Sequence, residues 1–125
     1  MARAKNRLST TWQDDIRQKK LAEVRERARK VAEIVVRLPA DRSQVPESEA
    51  RAALLHSFGL TAAMSCEWMT DPVEFVAETA DHYALWFGQD GPSWIRDEHY
   101  SLGREEILQI AAEELERARR QLADH

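Results

Sequence analysis

One stretch restricts the folds open to this chain more than any other. From Thr11 to Leu38 the sequence contains neither glycine nor proline, and Pro39 follows directly. Thr10 or Thr11 can cap the start of a helix there, and Asp14 and Asp15 suit the positive end of its dipole. Pro39 stops it, because proline disfavours the α conformation in the residue before it. About 27 helical residues make a rod of roughly 40 Å, as long as a small domain is wide.

The two halves of this helix differ. In the second half Val24, Ala28, Val31, Val35 and Leu38 recur at spacings of four, three, four and three. That heptad-like seam suits lengthwise packing against another helix. In the first half only Trp12, Ile16 and Leu21 are apolar, among Arg17, Lys19 and Lys20. The C-terminal half is therefore expected in the core, and the N-terminal half at the edge of the fold or beyond it.

Charge divides along the same line. Residues 1–37 hold eleven Lys and Arg against five Asp and Glu, a net of +6, and residues 38–125 hold seven against seventeen, a net of −10. Such asymmetry points to an acidic partner for the basic segment, with nucleic acid the usual candidate. The alternative is internal: the acidic body of the chain, or of a second copy, neutralises the helix.

The remaining composition narrows the class. A chain of 125 residues, 43% apolar and 32% charged with four Gly and four Pro, suits one helical domain and argues against a sandwich or barrel. Cys66 is alone, so no disulfide framework forms within the chain, and a single cysteine argues against a cysteine-based zinc site, in keeping with a reducing cytoplasm. MARAKNRL is basic but no apolar run follows it, and no stretch approaches the ~18 apolar residues of a membrane span. A cytoplasmic chain that does not engage a membrane is expected. Residues 1–9 read as a basic flexible tail and residues 10–125 as a single helical domain.

Four further helices follow from local signals. Pro46, with Glu47 and Glu49 in the first turn, opens one whose buried side holds Ala50, Ala53, Leu54 and Phe58, and Gly59 ends it. Thr61 caps another to about Met69. Asp71, Pro72 and Glu74 form a capping box that opens a helix over about 72–87, with Val73, Val76, Ala77, Ala80, Tyr83, Ala84 and Phe87 on one face. Gly88, Gly91 and Pro92 break the pattern, and Ser93 caps a short turn. The last helix, about 102–122 and capped by Ser101, repeats Leu108, Ala111, Leu115, Ala118 and Leu122 at three, four, three and four. The expected fold is all-α, a compact bundle of about five helices, two long (about 11–38 and 102–122) and three short. The long helices pack side by side, or their seams pair two chains in a homodimer.

Several patterns carry chemical meaning. Residues 53–68, ALLHSFGLTAAMSCEW, resemble a helix-turn-helix: Gly59 makes the turn, Leu60 plugs it, Thr61 caps the second helix and Trp68 anchors it to the core. The resemblance implies that the second helix enters the DNA major groove with Thr61, Ala62, Ala63, Ser65 and Glu67 at the reading positions. Those positions include none of the Arg, Lys, Asn or Gln side chains that usually pair with guanine and adenine. Glu78 with Asp81 and His82, and Asp97-Glu98-His99, each offer two or three of the roughly four ligands a closed metal site needs. Glu23-x-x-Glu26, Glu78-x-x-Asp81 and Glu113-x-x-Glu116 resemble the paired-carboxylate magnesium ligands of all-α nucleotide pyrophosphatases. No glycine-rich phosphate loop or nucleophile elbow occurs.

With no catalytic residues, metal ligands or cofactor site assigned, the sequence reads as a small non-enzymatic regulatory or inhibitory protein. Its partner is a protein or duplex DNA. The candidate contact residues are Arg3, Lys5, Arg7, Arg17, Lys19 and Lys20 on the basic segment and Trp94, Arg96 and Tyr100 in the 88–100 loop. A DNA-binding transcriptional regulator and a magnesium-dependent nucleotide pyrophosphatase are the alternatives.

Overall fold

The computed structural model describes residues 2–81 and 103–124, with the backbone alone described for residues 2–13 and 16. Within them lie five α-helices: α1 (Ala2–Val35), α2 (Glu49–Phe58), α3 (Leu60–Cys66), α4 (Pro72–Ala80) and α5 (Arg104–Ala123). A 3-10 helix, Arg42–Glu47, precedes α2. The described residues contain no strand, and two long helices packed against each other dominate the bundle.

Helix α1 starts at Ala2 rather than near Thr11. The reason lies in residues 2–10, which contain no Gly or Pro and several of the better helix formers, Ala, Arg, Lys and Leu. Its other end falls at Val35, and the final turn tightens: Arg37 N–H donates to Ile34 at 3.0 Å and Leu38 N–H to Val35 at 3.1 Å. Such three-residue bonds satisfy carbonyls that a helix terminus would otherwise orphan.

The pairing of α1 with α5 is parallel. Arg17 bonds Glu106 and Arg25 bonds Glu114, both across 89 residues of sequence. A constant offset means that both chains advance in the same direction, whereas an antiparallel pair would hold the sum of the residue numbers constant. Along this pairing Val24, Ala28, Val31, Ala32 and Val35 of α1 are buried with Ile107, Ile110, Ala111, Leu115 and Ala118 of α5. Alanine at four of these positions lets the backbones approach closely. The seams read from sequence are thus filled within one chain, while Leu122 at the end of the second one is exposed.

Helix α4 runs antiparallel to both. Its first residue, Pro72, borders the same depression as Val35 and Leu115, while the carbonyl of Ala80 at its far end accepts from Arg27 Nε at 2.6 Å. Asp71 caps its start, accepting from Val73 N–H at 3.0 Å and Glu74 N–H at 3.4 Å. Phe75 joins Val76, Ala77 and Ala80 in the core, so this helix is buried over a wide arc. Residues 82–87, expected to continue it, lie outside the described residues.

Helices α2 and α3 form a second, smaller layer on this three-helix core. Helix α2 begins one turn later than Pro46 suggested. Ser48 caps it by accepting from Arg51 N–H at 3.2 Å, and Pro46 sits inside the preceding 3-10 turn, where Asp41 accepts from Ser43 N–H at 3.0 Å. Gly59 adopts φ 97° and donates its N–H to Leu54 and Leu55, which closes α2 and opens α3 without a side-chain cap. Thr61 therefore lies inside the first turn of α3 instead of capping it.

Candidate functional site

The charged groups of α1 are placed by the periodicity that builds its core face. Val24, Ala28 and Val31 turn inward, which leaves Arg17 and Arg25 along the edge facing α5. Arg25 forks between two carboxylates, Glu114 at 2.8 Å and Glu113 at 3.3 Å. The hydrogen bond to Glu114 is the main reason the Arg25 guanidinium is held more firmly protonated than usual. On the solvent side Arg29 bridges Glu26 and Glu33 within α1 itself. Arg17 and Arg25 of the basic segment are thereby matched by carboxylates of α5, whereas Arg29 is matched within α1.

Glu114 is the unexpected member. Its side chain has 0% exposure between the two long helices. One oxygen accepts from Arg25, and the other has no hydrogen bond but lies 3.6 Å from Arg117. The signal was present in the sequence, since Ile107, Ala111, Glu114 and Ala118 fall at four, three and four on the inner face of α5. A glutamate there is easily read as one more solvated residue of a charged helix.

The sequence-predicted contact residues divide three ways. Arg17 is engaged with Glu106. Lys19 is exposed, and Lys20 lies close enough to Asp81 to stabilise its carboxylate. The side chains of Arg3, Lys5 and Arg7, and all of Trp94, Arg96 and Tyr100 in the 88–100 loop, lie outside the described ones.

The helix-turn-helix-like stretch departs from its expected geometry. Trp68, read as the core anchor, is 77% exposed. Ala62 and Ala63, at presumed base-reading positions, are buried, and Glu67 lies 3.2 Å from Arg51 Nε. The small side chains of Ala62, Ala63 and Cys66 fit the tight space beneath α3, which turns the larger Leu60, Met64 and Trp68 outward. A short helix with apolar residues on two sides gives no sequence-level indication of which side is inward.

Two clefts flank α4. One, of about 210 Å³, is lined by Glu74, Glu78, Asp81 and Arg104 over Ile107 and Leu108. Burial pushes Asp81 up to about 6, against the opposing pull of Arg27 and Lys20, and its Oδ1 has no hydrogen-bond partner. Across the cleft mouth Arg104 bonds Glu74 at 3.1 Å. The other cleft, about 460 Å³, runs between α3 and α4 past Phe58, Phe75, Arg27 and Arg104. Cys66 is buried, donates to Ala63 O at 3.1 Å and has its thiol pushed up by burial, the opposite of what a nucleophilic thiolate needs.

Among the described residues no three His, Cys, Asp or Glu side chains converge as a metal site. Carboxylates from the paired motifs are held by arginines: Glu26 by Arg29, Glu113 by Arg25 and Glu116 by Arg120. His82 and the Asp97-Glu98-His99 run lie outside the described residues. No described helix is long and apolar enough to cross a membrane. Comparison with protein-family models, curated proteins and solved structures finds no match to this chain.

Proposed function

We propose that this chain is a small non-enzymatic regulatory or inhibitory protein whose basic N-terminal part of α1 docks on an acidic macromolecular surface. The register of α1 on α5 carries this reading. With the offset of 89, Arg104, the first residue of α5, aligns with Asp15, so α5 runs beside α1 only from there onward. Residues 2–14 of α1, which include Arg3, Lys5 and Arg7, precede that overlap. A backbone already helical is pre-organised for association, because little backbone order remains to be gained on binding.

An acidic protein surface is favoured over DNA because α3 and the residue after it hold buried alanines and a paired glutamate where bases would be read. The test compares the chain with its Arg3→Glu, Lys5→Glu, Arg7→Glu triple variant. Both serve as bait for cross-linked capture from lysate, and both are titrated against labelled random duplex DNA at several salt concentrations. The expected result is a protein captured by the parent and lost from the variant, with weak DNA binding. Equal capture by the two baits overturns the basic-helix interface. Tight DNA binding that falls steeply with salt replaces the protein partner with DNA. Turnover of nucleoside triphosphates with Mg²⁺ overturns the non-enzymatic reading altogether.

A further inference from the structure

The apolar seam between α1 and α5 does not by itself choose one alignment of the two helices. Leu21, Ala28 and Val35 recur every seven residues, as do Val24, Val31 and Leu38. On α5 Leu108, Leu115 and Leu122 do the same, beside Ala111 and Ala118. Sliding α5 by one heptad along α1, about 10 Å, therefore sets apolar side chains against apolar side chains again. Chain connectivity does not decide either. Twenty-one residues stand between Asp81 and Gly103, a length that can span any of these alignments.

Glu114 breaks this repeat. Ile107 and Gln121, one heptad to either side of it, are uncharged. Its side chain is fully enclosed, and its Oε2 accepts from Arg25 Nη1 at 2.8 Å. If α5 moves one heptad toward the C-terminal end of α1, Glu114 falls opposite Ala32, itself fully buried, and Glu106 falls opposite Val24. If α5 moves the other way, Glu114 falls opposite the neutral Gln18, and Arg25 is left facing Gln121. Either slip breaks the one ion pair of the seam whose carboxylate is wholly out of solvent, and a buried charge without its partner is strongly disfavoured.

We infer that Glu114, held by Arg25, is the device that sets the register of the two long helices. It works by making the slipped alignments costly, not by making the observed one strong. The two effects are separable. Replacing both members of a buried ion pair by apolar groups often costs no stability, whereas removing one member strands a charge. The register also fixes how much of α1 runs past α5, which is residues 2–14 in the observed alignment. One heptad of slip would cover or release about two further turns of the basic segment. The inference does not depend on the docking proposed for that segment, because its test reads only the alignment of the helices.

Double electron–electron resonance on the full chain tests this, with nitroxides at Lys30→Cys and Gln109→Cys. Both positions are exposed, and the buried Cys66 stays unlabelled. The labelled parent is expected to give one distance. The Arg25→Leu, Glu114→Leu double variant is expected to keep its helical circular dichroism and a urea midpoint at or above the parent's. It should also show a second distance, displaced by up to about 10 Å, the rise of seven helical residues. Glu114→Gln keeps an acceptor for Arg25 but removes the charge, and shows the second distance at a smaller population. The Arg17→Leu, Glu106→Leu control removes a partly exposed pair and keeps one distance. A single parental distance in both Glu114 variants overturns the inference. So does a double Leu variant with a urea midpoint below the parent's, because the pair then acts as cement. A second distance in the control takes the register away from Glu114.

Discussion

Gly59 holds φ 97° and ψ 178°, a region that residues with a Cβ almost never enter. A Cβ built there meets nothing within 4 Å, so the whole cost of a side chain is backbone strain. Gly59→Ala is expected to lower unfolding free energy by about 1–3 kcal/mol, read as a shift in the urea midpoint at unchanged slope. Asp81 acts through protonation. Its carboxyl, raised by burial to about 6 from an ordinary 3.8, binds its proton more tightly in the folded state than in the unfolded one. Its contribution to stability is therefore fully present below 3.8 and is lost as pH rises through about 6. Asp81→Asn should shrink the difference between urea midpoints measured at the two ends of that window. An undiminished difference would locate the titration elsewhere.

At the scale of elements, the ion pairs between α1 and α5 are unequal. Arg17 and Glu106 are both about one-third or more exposed, so their coupling should stay below ~1 kcal/mol. Glu114 is wholly enclosed, and removing Arg25 leaves a buried carboxylate with only Arg117 at 3.6 Å. Arg25→Met is expected to cost about 2–3 kcal/mol, and adding Glu114→Gln should restore part of the loss. A double-mutant cycle for each pair, by denaturant unfolding, measures both couplings, and equal values would contradict the difference in burial. These elements also show what the sequence could and could not reveal. The long seams were legible because Val24, Ala28, Val31 and Val35 hold one period over three turns. The orientation of α3 was not, because seven residues with apolar groups on two sides leave tertiary packing to decide. The start of α1 was misplaced because Thr10 and Thr11 can cap a helix but equally can lie within one.

Across the whole molecule, stability should be uneven. Most of the buried core residues lie on α1, α4 and α5, whereas α3 is one seven-residue segment without a side-chain cap. Amide hydrogen exchange is expected to be slowest over residues 24–35 and 110–118 and markedly faster in α3, which opens locally. Uniform protection would mean that the two layers unfold as one unit. The charge asymmetry was visible in composition, but its resolution was not. Only the register, with Arg25 opposite Glu113 and Glu114, shows which cations the acidic half occupies.

The parallel pairing of the first and last helices bears on how the molecule comes into being. A seam joining residues 89 apart cannot be assembled as a local hairpin of neighbouring helices. The dominant contacts here are among the most distant in the chain, which slows folding relative to up-and-down bundles of similar size. During synthesis at ~5–20 residues per second, the apolar stripe of α1 emerges early and waits several seconds for its mate. In that interval Val24, Ala28, Val31 and Val35 lack the buried face of α5 and have the earlier helices, α2 and α4, to lean on. The nascent chain is then an amphipathic rod with a bare flank, open to chaperones or to a sister chain on the same message, until the last helix leaves the ribosome.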